Sequence, residues 1–166
     1  MKRLVFPFFF FLFVVFGNFA CLKSSDNNCN PKTPSSEASA MNAFCAQNGI
    51  TPTAHSSGLF YQILDPGTGA TPSATSKIAI TYTGKLLDGQ MFDQRTTPNN
   101  VPGNGPDSPW SLSQLIEGWQ VGIPLIKEGG HILLVVPSSM AYGCQGYVAI
   151  PANSILYFDI TLVDVQ

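Results

Sequence analysis

The chain has 166 residues, enough for one domain plus extensions. Only 11% are charged and 45% are hydrophobic, with a formal net charge of −2 and no cluster of Lys or Arg. That balance argues against nucleic acid as a partner, and four scattered cysteines with two histidines make no zinc-ligand pattern.

Lys2-Arg3, an apolar run from Leu4 to Phe16 and the small residue Ala20 have the order of a secretory signal over residues 1–20. The run is shorter than the roughly 20 apolar residues needed to span a bilayer. Cys21 directly after Ala20 resembles the lipobox of bacterial lipoproteins, although Asn18 stands where that box usually carries an aliphatic residue. Lipidation at Cys21 is therefore expected, with a membrane contact made only through that lipid. A plain secreted protein cleaved near Ala20 is the alternative. Removal of Lys2 and Arg3 leaves six basic against ten acidic residues, a formal charge of −4.

Residues 21–34 are polar and offer little to bury, so they are expected to form a flexible tether. From 35 to 49 a short helix is expected, with Met41, Phe44, Cys45 and Asn48 at helical spacing and Gly49 as a left-handed cap. The compact domain is placed at 57–166.

Leu59–Leu64 reads as a strand ended by Asp65-Pro66-Gly67. Ile78–Asp93 (IAITYTGKLLDGQMFD) begins as an alternating strand, Ile78, Ile80 and Tyr82 on one side and Ala79, Thr81 and Thr83 on the other, and Asp88-Gly89 suits a two-residue hairpin turn. Tyr82, Phe92 and Asp93 would meet at one mouth of the sheet. Gln94–Pro109 holds four prolines, two glycines and three asparagines and is expected to be an irregular flap. Leu115–Ile123 has room for two helical turns before Pro124, with Leu115, Ile116 and Trp119 on one face. His131–Val136 and Ile155–Val165 close the set of strands. His131 reads as a surface or strand-end residue rather than a base. The expected class is α+β: a five- to six-stranded antiparallel half-barrel curled around one short helix, with an extra N-terminal helix.

In order and over about 110 residues, these segments resemble the FKBP-type peptidyl-prolyl cis-trans isomerases. The matching pieces are ITYTGKLLDGQMFD, LIEGW (115–119), PSSMAYG (137–143), IPANS (150–154) and LYFDITL (156–162). The resemblance implies a hydrophobic cleft that docks an X-Pro bond and rotates it without metal, nucleophile or cofactor. Tyr82, Phe92, Asp93, Trp119, Tyr142 and Phe158 would carry catalysis, with Trp119 as the floor beneath the proline ring. Trp110, Leu115, Ile116, Tyr147 and Ile150 would bind substrate, the Ile116 amide and Tyr142 hydroxyl meeting ligand carbonyls.

Three departures stand out. Trp110 replaces the usual Phe, Tyr147 falls near a His of the drug-binding members, and the flap is longer than in minimal members. Macrolide binding is therefore not implied. The expected clients are proline-containing polypeptides met after export, on a monomer held at a bacterial membrane, periplasmic or surface-facing. A chaperone or binding module on the same fold, with little isomerase activity, is the alternative function. With Cys21 lipidated and Cys29 in the tether, Cys45 and Cys144 are the pair expected to bridge in an oxidising compartment.

Overall fold

A computed structural model describes residues 29–99 and 109–166. The signal segment and Cys21 lie outside the described residues. Seven strands form one antiparallel sheet: β1 Thr53–Ala54, β2 Phe60–Asp65, β3 Lys77–Leu86, β4 Met91–Arg95, β5 Trp110–Ser111, β6 His131–Val136 and β7 Leu156–Val165. The order across it is β1-β2-β6-β7-β3-β4, with β5 also pairing β3. The count exceeds the five or six expected because β1 and β5 are only two residues long. Too short for any alternation, they leave no period to read.

After His131, the run ILLVV is apolar throughout because both faces of β6 are covered. Ile132, Leu134 and Val136 enter the inner core with Trp119, Ile78, Ile80 and Phe158. Leu133 and Val135 face an outer core shared with Met41, Cys45, Ile50 and Phe60. A strand covered on one side only would have alternated. β7 does alternate, burying Leu156, Phe158, Ile160 and Leu162.

Helix α1, Pro34–Gln47, covers the outer face. Thr33 caps its start by accepting from the Ser36 amide, and proline at the first position loses no hydrogen bond there. Its end is a Schellman turn: Gly49 takes φ 67°, and the Ile50 amide donates to the Cys45 carbonyl at 2.9 Å. Glu37, Met41 and Cys45, spaced by four, form the buried face. Asn48 is not on that face. It is the C-cap, its amide donating to the Phe44 carbonyl.

The tether expectation fails at its C-terminal end. Cys29 is disulfide-bonded to Cys144, their Cα atoms 5.2 Å apart, and Cys45 is a free buried thiol. The expected Cys45–Cys144 pairing is thus corrected to Cys29–Cys144. The reason is axial distance along α1. Glu37, in its first turn, reaches the loop after β6 by accepting from the Ser138 amide at 2.7 Å and its hydroxyl at 2.8 Å. Cys45 lies eight residues further, about 12 Å along the axis, and packs into the outer core instead. Cys29 precedes the helix, where the chain passes that same loop. Beside it, the Asn153 side chain donates to the Asn30 carbonyl.

The β3–β4 hairpin turns through one residue more than expected. Leu87, Asp88 and Gly89 form a three-residue loop, with the Gly89 amide donating to the Leu86 carbonyl and the Leu86 amide to the Gln90 carbonyl. Only Gly89 takes a positive φ, 90°, whereas a two-residue type I′ turn needs two such residues.

Three different groups cover the outer edge of β3. β4 pairs residues 82–85, β5 pairs 77–78, and the Asn99 side chain fills the gap between them. Asn99 is 1% exposed; it accepts from the Ile80 amide at 2.9 Å and donates to the Ile78 carbonyl at 3.2 Å. A side-chain amide thereby stands in for a strand.

Candidate active site

Inside the sheet's curve lies a cleft of about 470 Å³ lined by Tyr82, Phe92, Asp93, Pro109, Trp110, Ser111, Gln114, Leu115, Ile116, Trp119, Tyr142 and Phe158. Helix α2, Glu117–Gly122, sets its floor. Gly118 lets α2 approach β6 closely, since a Cβ there would lie 2.4 Å from Val136. Trp119 on this helix is 5% exposed. Its ring is met edge-on by Tyr82 at 5.0 Å and Phe158 at 5.1 Å. Phe92 meets Phe158 edge-on at 5.7 Å. Edge-to-face packing of this kind fixes ring orientations beyond the effect of burial alone.

Gly84, opposite Asp93 on β3, makes room for this wall. A Cβ there would sit 2.7 Å from the Phe92 ring and 3.1 Å from that of Phe158. No side chain larger than hydrogen fits without moving both.

Leu115 and Ile116 line the cleft from an extended turn ahead of α2, not from the helix as their spacing suggested. Gln120 holds that turn by donating to the Leu115 carbonyl at 2.6 Å. Tyr147 and Ile150 are also displaced from expectation. They line an adjoining groove of about 220 Å³ with Phe92, Asp93 and Tyr142, outside the main cleft. Tyr147 still acts on the cleft, stacked on Tyr142 at 5.0 Å. Pro109, Ser111 and Gln114 line the cleft without having been singled out. Their only sequence signal is a position among Trp110, Leu115 and Ile116.

Polar groups are few and placed at the rim. Tyr82 donates to Asp93 Oδ2 at 2.5 Å, and Asp93 Oδ1 accepts from the Gln94 amide at 2.8 Å. Three donors find no acceptor among the described residues: the Ile116 amide, the Tyr142 hydroxyl and the buried Trp119 Nε1. His131 faces away from the cleft, on the opposite side of β6 from Ile132 and Leu134, and pairs with Asp159 at 2.6 Å. No group of three metal-binding side chains occurs among the described residues.

Burial, then the Asp93 carboxylate it donates to, hold the Tyr82 hydroxyl well above the ordinary tyrosine value. Tyr142 is raised by burial, with Tyr147 and Asp93 adding. Tyr157, behind the sheet, is pushed up to about 12 by burial and then Asp159. All three are raised in the folded state, so the linked stability is fully present below about pH 10 and is lost as pH climbs through the folded values. We expect the tyrosinate absorbance of these residues to rise together with unfolding followed by circular dichroism. Their ionisation near pH 10 in an intact fold would contradict this.

A family profile described as FKBP-type peptidyl-prolyl cis-trans isomerase matches residues 69–163, from just ahead of β3 into β7. The chain belongs to that family. This FKBP-type chain is 37% identical to the isomerase FkpA of Escherichia coli over 123 residues, 74% of this chain and 43% of that protein. To a probable FkpA of Neisseria meningitidis it is 38% identical over 121 residues, 72% of this chain and 42% of the other. It therefore spans less than half the length of these curated relatives. The crystal structure of Escherichia coli FkpA superposes with a TM-score of 0.66 at 34% identity, covering 80% of this chain and 59% of that one. A Pseudomonas syringae peptidyl-prolyl isomerase gives 0.64 at 28% identity, covering 82% and 98%. Against that FKBP background the nine cleft residues Tyr82, Phe92, Asp93, Trp110, Leu115, Ile116, Trp119, Tyr142 and Phe158 converge on one volume.

Proposed function

We propose that this chain catalyses cis-trans rotation about X-Pro bonds of polypeptides docked in the aromatic cleft. The supporting observation is the Trp119 floor walled by Tyr82, Phe92 and Phe158, with unspent donors at its rim. Rotation crosses a barrier of about 20 kcal/mol, at which amide resonance is lost. The twisted amide is less polar than the planar one, so a dry aromatic site favours the transition state over the hydrated ground state. The Ile116 amide and Tyr142 hydroxyl would hold the flanking carbonyls, while Asp93, tied to Tyr82, keeps the wall in place. None of these steps calls for a nucleophile, metal or redox group.

The test is proline-limited refolding and peptide isomerisation with the signal residues removed. Acceleration of the slow phase supports the reading. A folded protein that leaves the uncatalysed rate unchanged across several X-Pro peptides overturns it. The exposed tip Tyr147-Val148 beside the cleft favours a second reading, a chaperone that suppresses aggregation without speeding that phase.

Export and anchoring belong to the same proposal. Residues 1–20 direct export, Cys21 carries lipid, and the monomeric domain works on exported clients at a bacterial membrane. Cys21→Ser should leave an uncleaved precursor or move the protein out of the detergent phase. Unchanged partitioning favours plain secretion.

A further inference from the structure

Beside the cleft, on the far side of the Tyr82–Asp93 bond, a second open pocket of about 430 Å³ shares Tyr82, Asp93 and Trp110 with it. Its remaining wall is polar: Gln94, Arg95, Thr96 and Thr97. Arg95 stands directly across from Tyr82 in the β3–β4 register and two residues after Asp93, so Asp93 and Arg95 project from the same face of β4. Its guanidinium lies over the Trp110 ring, 5.2 Å from the centroid.

Among the described residues no carboxylate pairs with the Arg95 guanidinium. Its nearest carboxylate in sequence, Asp93, already accepts from the Tyr82 hydroxyl and the Gln94 amide. Among the described residues the one ion pair is His131–Asp159, on the face of the sheet opposite Phe158 and the cleft. Stacking on an indole orients a guanidinium without occupying its five N–H donors, whose planar fork matches a carboxylate. One cation with two hydroxyls and an amide suits a single carboxylate; phosphate would call for more positive charge.

We infer that Arg95, held on Trp110, forms a subsite continuous with the cleft that binds the side-chain carboxylate of an Asp or Glu flanking the proline. The inference rests on the isomerase reading and adds to it a substrate class: X-Pro segments with an acidic neighbour. Arg95 acts on specificity and takes no part in rotating the bond. A half-exposed ion pair of this kind contributes up to about 1 kcal/mol, roughly fivefold in kcat/KM.

The test compares peptides capped at both ends, so that no terminal carboxylate is read, with Glu, Gln or Lys placed in turn at each of the two positions on either side of X-Pro. The full chain without its signal residues is assayed. At one position kcat/KM should favour Glu over Gln by about three- to fivefold. The ratio should shrink toward one in 0.5 M salt and in Arg95→Gln, and Arg95→Glu should favour Lys instead. Reading the ratio within one protein separates specificity from any change in folding or in overall rate. Catalysis with equal Glu and Gln values at every position overturns this inference and leaves the isomerase reading standing. So does a Glu preference that survives Arg95→Gln. Absence of catalysis on all peptides overturns the isomerase reading itself.

Discussion

Trp119→Ala is expected to cost about 3–5 kcal/mol of stability and to lower isomerase activity by tenfold or more. The indole is nearly fully buried and joins the inner core to the cleft, in contact with both Tyr82 and Phe158. Removing it leaves a cavity beneath two aromatic walls that no neighbour can fill, because α2 is held against β6 by the close approach at Gly118. Phe92→Ala provides the comparison. That ring is only partly buried and touches the core through Phe158, so its loss should reduce activity about as strongly with a much smaller shift of the urea midpoint. Parallel denaturation and isomerisation measurements separate the two. Full activity in a folded Phe92→Ala protein would place the reaction elsewhere on the molecule.

Cys29→Ser should lower stability by up to about 4–5 kcal/mol, the chain-entropy value for a cross-link closing on the order of 100 residues. The bridge spans a separation of 115 residues. It is supported by the Glu37–Ser138 and Asn30–Asn153 contacts, which join the same two segments. Reduction of the wild-type protein should reproduce the shift, and reduction of a Cys45→Ala protein should shift it by the same amount, since that thiol is unpaired. Peptide mapping without reductant should join residues 29 and 144. A cross-link from 144 to 45, or an unchanged midpoint in Cys29→Ser, would refute this arrangement.

The strands that carry the cleft were legible because their residues alternate or, in β6, because five apolar positions in a row suit a strand covered on both faces. The nine residues that line the cleft were legible through the order of five motifs rather than through composition. What could not be read depended on contacts between distant segments. Cys29 sits in a stretch with nothing to bury, so local composition assigned it to a tether; its anchor lies 115 residues away. Leu115 and Ile116 fit a helical period equally well as two residues of an extended turn, and the Gln120 side chain decides between them. Asn99 and Arg95 were hidden in a loop whose prolines and glycines dominated its reading, although one closes a sheet edge and the other stacks on Trp110.

The Asn99 bridge makes this molecule a natural acceptor for grafted sequence. Asn99 and Trp110 both fasten to Ile78 at the start of β3, although eleven positions separate them in sequence. Loop-closure entropy grows slowly, about 0.6 kcal/mol for each doubling of length. Sequence inserted between Asn99 and Trp110 would therefore start and end at anchors that β3 already holds together, at small cost to the domain provided Asn99 itself is kept, and the denaturation midpoint of such a graft measures that cost directly.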